Sequence, residues 1–497
     1  MSRRALPDGA RRGWCPGLAR PMPTGDGLLA RLHPPLGVLT LPQARAVAEG
    51  ARRYGNGHLD LTARANLQIR GVSEATTAPL AALLAAAGLG DTRTDGGPQR
   101  LTLTGPLADD AIRTLARAIE AAGRGIPGLP AKTLVAVGFA TDEADLSVVP
   151  VAEGRVAIGL ATAAEAIGVS PLADAPAVVA SLLAAFAATG QRRMRDLTAD
   201  ELRAILPPPS AGEGGPRRGS GEGSDGGGCG TAPSRHTVPF PAAAFPSPPP
   251  LRGVPSPAEG GGNSAVALPP RHGEQSEAIQ GSEALPNGAL LAMTAIGPAP
   301  GLSVIDGPTG IAVLTLDAPF GRCTADAFVR LIAVAEDIGA AEFRLTPSRG
   351  IVLVAARPER VKAHLPALAA DFITGAEDPR RAVAACTGAP ACASGTTPTL
   401  ADAARLADAF QPLAARGLSA HVSGCAKGCA RPGPADLTLV GRDGDYAIIV
   451  GGAPGDPSLL QIPIETALER LGRAATVGLA AAFAPETIDR GRNRRPA

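Results

Sequence analysis

GHLDLTARANLQIRG, residues 57–71, and AAEFRLTPSRGIVLV, residues 340–354, read as one unit written twice. Each alternates apolar and polar residues like a strand, breaks at a turn after Leu-Thr, and then alternates again. The shared pair is Leu61-Thr62 in the first copy and Leu345-Thr346 in the second. The patterns agree further out as well. In the first copy an apolar segment, residues 28–39, precedes a helix-like stretch at 42–54. In the second, GIAVLTLDAPF, residues 310–320, precedes a helix-like stretch at 324–338. Strand, helix, then strand–turn–strand describes a split ferredoxin-like unit, and the same order in both halves predicts a duplication.

A longer α/β stretch follows each copy. Residues 99–200 read as a strand, a helix at 109–122, strands at 134–139 and 156–161, and further helices; residues 380–480 take a comparable course. Between 207 and 288 the chain is dominated by proline and glycine, as in PPPSAGEGG and FPSPPPLRG, and cannot bury enough apolar surface to offset its ordering entropy. The expected class is α+β. The expected division is a ferredoxin-like half-domain at 10–75, an α/β domain at 95–205, a disordered linker at 207–288, a second half-domain at 295–358 and a second α/β domain at 378–485.

Composition narrows the function classes. Aromatics make up 3% of the 497 residues, so the cores rest on Leu, Val, Ile and Ala. A net charge of +1 supplies no global field for nucleic acid or an anionic membrane. No apolar run reaches membrane-spanning length, and the N-terminal MSRRALPDGARRGWCPG lacks the apolar core of a signal peptide. Cys15, Cys229 and Cys323 are scattered, which argues against a disulfide framework. A cytoplasmic protein is expected.

The other four cysteines are not scattered. Cys386 and Cys392 stand in ACTGAPACASG with five residues between them, and Cys425 and Cys429 in SGCAKGCARPG with three. Four thiolates match the one-per-iron requirement of a [4Fe–4S] cluster, whereas structural zinc sites usually space paired cysteines by two to four residues. Gly388, Gly424 and Gly428 let backbone N–H groups approach sulfur, and Pro432 favours a tight loop over a helix. The plainer alternative is four buried, reduced cysteines.

On an alternating strand Arg64, Asn66, Gln68 and Arg70 would share one face. That face could be solvated, or it could hold carboxylates, which arginine pairs bidentately.

Duplicated ferredoxin-like units with this Cys-x5-Cys…Cys-x3-Cys pattern resemble the sulfite/nitrite reductase superfamily. Within it, RRGWCPGLARPMPTGDGLLARL (residues 11–32), LTARANLQIRG, FRLTPSRG and HVSGCAKGCARPG resemble the precorrin-3B synthase family of aerobic cobalamin biosynthesis. The resemblance implies a fold built around a central tetrapyrrole cavity. It implies an oxidoreductase of monooxygenase type, hydroxylating precorrin-3A at carbon 20 with molecular oxygen and closing a lactone. It also implies a [4Fe–4S] cluster on the four cysteines, a non-haem iron, and reduced nicotinamide as the indirect electron source. No G-x-G-x-x-G follows a strand, so a separate reductase is the expected partner. Arg64 matches the arginine that binds tetrapyrrole carboxylates in the reductases, with Asn66, Gln68, Arg70 and, by pseudo-symmetry, Arg349 beside it. Lys132 matches the first of two lysines that contact the reductases' anionic substrate, which makes Lys132 and Arg64 the expected catalytic residues. Leu134 replaces the second lysine, a departure that suits a bulkier organic substrate. Arg20 and Arg31 flank the turn Thr24-Gly25-Asp26-Gly27 and could reach the ring. His58 and His421 stay unassigned to metal. The alternative implied by the same superfamily is a sirohaem-dependent sulfite or nitrite reductase.

Overall fold

The computed structural model describes residues 15–141, 143–151, 154–160, 166–205, 298–305 and 311–485. The linker expected at 207–288 lies outside them.

Two helices with apolar stripes, Leu41–Tyr54 and Ala325–Asp337, each begin at a threonine whose hydroxyl caps the first turn: Thr40 accepts from Gln43 N–H and Thr324 from Ala327 N–H. Each helix leads to a hairpin. His58–Leu61 pairs with Leu67–Val72, and Glu342–Leu345 with Gly350–Val354. A constant offset of 284 relates the copies: Leu61 to Leu345, Thr62 to Thr346, and the left-handed residues Leu36, Gly37 and Ala65 to Phe320, Gly321 and Arg349. The backbone is thus repeated down to its strained positions. The α+β class and the duplication of ferredoxin-like units stand.

The copies also exchange strands. One five-stranded sheet runs Met22–Thr24, Gly27–Leu32, Leu67–Val72, His58–Leu61 and then Arg322–Thr324, which comes from the second copy. The other runs Gly301–Ile305, Ile311–Asp317, Gly350–Val354, Glu342–Leu345 and then Val38–Thr40 from the first. One core serves both sheets, with Leu39, Leu59, Leu67 and Ile69 packed among Phe328, Leu331, Phe343 and Ile351. Residues 28–39 are therefore not one strand. A 3-10 turn, Pro35–Gly37, splits them so that Val38–Thr40 can cross over.

The two α/β domains repeat one another too. In the first, Thr102–Thr104, Val135–Val137 and Leu146–Val151 are parallel neighbours, and Arg155–Leu160 and Ala166–Pro171 continue antiparallel. In the second, Val383–Ala385, Ala420–Ser423 and Ala435–Arg442 are parallel, followed antiparallel by Asp445–Gly452 and Leu460–Ile462. The strands Leu146–Val151 and Ala166–Pro171 were not foreseen in the sequence. The first is buried on both faces and so shows no alternation. Leu36 packs into the core of the first α/β domain, and its repeat mate Phe320 against the core of the second.

Candidate active site

The first sheet has one greasy and one polar face. Leu59, Leu61, Leu67, Ile69, Ala30, Leu32 and Cys323 enter the helix-covered core, so Asp60, Gln68, Arg70, Arg31 and Arg322 occupy the opposite face. Gln68 and Arg70 share that face as expected. Arg64 does not lie on the strand with them. It stands in the turn between the hairpin strands, where Ala65 N–H donates to Thr62 O and the N–H groups of Arg64 and Asn66 donate to Thr62 Oγ1. Asn66 is buried in the same turn, with its side-chain oxygen unpartnered.

Arg64 leans toward the first α/β domain, donating to the Lys132 carbonyl (2.8 Å) and leaving its Nε unpartnered. Burial first, then repulsion from Arg193, lowers its pKa to about 10. Burial likewise lowers the pKa of Arg31, and that of Lys132, where Arg64, Arg31 and Arg193 add to the effect. Arg31 and Arg64 are nevertheless partly open and Lys132 is exposed. Each is packed among protein atoms while keeping part of its surface open to solvent. With the Gln68 amide oxygen turned toward it, Arg31 donates to that oxygen through Nε (3.0 Å) and Nη2 (2.7 Å). His33 lies beside them, held well below its usual pKa by burial and by Arg31, Arg100 and Arg64. The result is a concentration of cations around a neutral imidazole, chemically suited to a polyanionic ligand. Leu134, two residues beyond Lys132, is 1% exposed in the half-domain core and can touch no ligand.

Arg100 was not singled out in the sequence. Its buried guanidinium donates to the carbonyls of Pro34 (3.2 Å), Ala65 (2.9 Å) and Arg64, and burial lowers its pKa to about 9. It fixes the turn that carries Arg64. A lone arginine in GGPQRLTLTG gave no pattern from which to foresee this.

Arg70 sits elsewhere. The residue is 3% exposed, and its guanidinium donates to Asp26, Asp60 and the Ala391 carbonyl. Arg349 is the repeat mate of Ala65, not of Arg64; its Nη2 donates to Ala430 O (3.2 Å), beside Cys429. The residue at the Arg64 position is Ser348, bonded to Thr346 (2.6 Å).

The four cysteines come from two loops that touch backbone to backbone. A Cβ on Gly424 would stand 3.2 Å from the Cα atoms of both Gly388 and Gly395. Gly424 N–H donates to Cys386 Sγ (3.1 Å), the approach for which a glycine is needed. Burial raises the thiol pKa values of Cys425 and Cys429, and the neighbouring thiols Cys386 and Cys392 raise both further. Such a set of four soft donors fits an iron–sulfur cluster, which takes one thiolate at each of four separated irons. Among the described residues no three His, Cys, Asp or Glu side chains stand close enough to share a single metal ion, so no ligand set for a non-haem iron emerges there. His421, on the strand entering the second cysteine pair, is fully buried with both ring nitrogens unpartnered, and burial lowers its pKa to about 4.

Known proteins share sequence and fold with this chain. A precorrin-3B synthase from Sinorhizobium sp. is 30% identical over 491 residues, covering 93% of this chain and 88% of the relative. The chain belongs to the precorrin-3B synthase family. Residues 20–87 and 306–371 match the nitrite/sulfite reductase ferredoxin-like half domain, the two units found by their repeated pattern. The haemoprotein beta-component of Xanthomonas oryzae sulfite reductase is 36% identical over 165 residues, 30% of this chain and 28% of that protein. The structure of Mycobacterium tuberculosis NirA aligns with a TM-score of 0.58 over 90% of this chain and 80% of its own, at 15% identity, and so shares the fold. Members of this family and its superfamily are oxidoreductases related to tetrapyrrole chemistry. No helix among the described residues is long and apolar enough to cross a membrane.

Proposed function

We propose that this chain is a precorrin-3B synthase, a monooxygenase that hydroxylates precorrin-3A at carbon 20 and forms a lactone in aerobic cobalamin biosynthesis. The observation that carries this reading is the relationship to a precorrin-3B synthase along nearly the whole chain. In the balanced step, one oxygen atom of O2 enters the substrate and the other leaves as water, with two electrons and two protons consumed. Reduced nicotinamide is the ultimate donor, through a separate reductase.

The chain's own residues account for binding. Arg31, Arg64 and Lys132 hold the carboxylates of the tetrapyrrole, and Arg100 keeps the Arg64 turn in place beneath it. Burial raises the cost of each of these charges, so substrate carboxylates brought to them are stabilised there. Cys386, Cys392, Cys425 and Cys429 would hold a [4Fe–4S] cluster, which supplies single electrons when bound. Cys429 is the exposed thiol of the set, the one open toward a neighbouring group.

The second reading, a sirohaem-dependent sulfite or nitrite reductase, is favoured by the match to the sulfite reductase haemoprotein. Leu134 weighs against it, because a buried leucine removes the second cation used to bind and protonate a small inorganic anion. The test is iron, sulfide and pigment analysis of protein purified without oxygen. Iron and sulfide without extractable sirohaem supports the synthase; sirohaem in stoichiometric amount overturns it.

A further inference from the structure

The loop between Cys386 and Cys392 is made of small residues, Thr387, Gly388, Ala389, Pro390 and Ala391, which can contribute little packing of their own. It is held from outside. Arg322 donates through Nη2 to Thr387 Oγ1 (3.3 Å), one residue after Cys386. Arg70 donates through Nη2 to the Ala391 carbonyl (2.6 Å), one residue before Cys392. The arginines come from different copies of the repeat, and Asp60 joins them, accepting from Arg322 at 2.6 and 3.0 Å and from Arg70 at 3.4 Å. Asp26 closes the network on Arg70 at 2.9 and 2.7 Å. The neighbouring Gly25 N–H donates to the same Ala391 carbonyl (3.1 Å), and a Cβ there would stand 2.1 Å from Pro390 O.

We propose that Arg70 and Arg322, bridged by Asp60, are positioning residues for the iron–sulfur cluster. They clamp both ends of the loop that presents Cys386 and Cys392. The inference rests on the cluster reading above and gives Arg70 a role other than the substrate contact expected from its strand face. Groups that orient metal ligands from the next layer out are worth roughly ten- to hundredfold in metal retention. A guanidinium with two parallel donors does this better than lysine, since it fixes direction as well as distance.

Wild type, Arg70→Met, Thr387→Val and the surface control Arg53→Met would be purified without oxygen. Each is measured for iron and sulfide per chain, for fold by circular dichroism, and for decay of the cluster absorption on exposure to air and chelator. Arg70→Met is expected to lose its cluster at least about tenfold faster than wild type. Thr387→Val, which removes one hydrogen bond and leaves the charges in place, should decay faster to a smaller degree, with the control unchanged. If Arg70→Met does not fold, Thr387→Val decides. Folded variants that keep the cluster as long as wild type overturn the proposal. Wild type without iron and sulfide overturns the cluster reading and this inference with it. Unchanged cluster lifetime with weaker tetrapyrrole binding would return Arg70 to the substrate.

Discussion

Arg64 is a cation placed where water can reach only part of it, with one donor on a carbonyl and another unpartnered. Such a group is stabilised most by an anion brought to it. Arg64→Met should weaken tetrapyrrole binding by about 1.5–3 kcal/mol, roughly ten- to hundredfold, with iron content unchanged. Arg64→Lys should recover little, because one ammonium cannot replace a fork; titration of tetrapyrrole fluorescence measures both. His421 makes a different prediction. Its folded pKa, about 4, lies below the ordinary histidine value of 6.5, so the unfolded chain binds the proton first as pH falls. Stability contributed by the neutral ring is present above about pH 6.5 and is lost as pH falls from there to about 4, by on the order of 3 kcal/mol in all. His421→Leu should flatten that part of the melting-temperature profile against pH; an identical profile would show that another group is responsible.

Hairpins and loops decide how those residues meet. The turn Thr24-Gly25-Asp26-Gly27, expected from its sequence, joins Met22–Thr24 to Gly27–Leu32 and lands on the cysteine loop. Gly25→Ala would force the two backbones apart and should cost about 1–3 kcal/mol, the usual range for overpacking, read as a lower unfolding midpoint. The hairpins themselves were legible, since alternation and the Leu-Thr turn signal are local properties. The same alternation puts Gln68 and Arg70 on one face of the strand Leu67–Val72, as found. Which of them would face a ligand was not legible. Asp26, from the preceding hairpin, and Asp60, from the facing strand, neutralise Arg70, while Arg64 slips into a turn that a strict alternation would have continued as strand.

The duplication extends to the whole molecule, and so does its entanglement. Each half-domain sheet ends on a strand from the other copy, and the first sheet grips the cysteine loop of the distant α/β domain. Three-residue strands such as Val38–Thr40 carry no signal of their partner, which is why the exchange was invisible in a sequence that shows the repeat plainly. Residues 15–205 expressed alone lack the edge strand Arg322–Thr324 and the shared core, so they should fail to fold, whereas the full chain should unfold its half-domain pair in one transition. Circular dichroism and denaturant titration of both proteins check this. On the proposed function, the cations around Arg64 would receive a polycarboxylate ring and the four thiols would hold the group that delivers electrons. The most direct test of that function is turnover of precorrin-3A by the anaerobically purified, reduced protein in oxygen-18 gas, with the product weighed by mass spectrometry. The predicted result is a hydroxylated lactone carrying one labelled atom from the gas. An unlabelled product, or no product from protein that reduces sulfite and yields sirohaem, would contradict it.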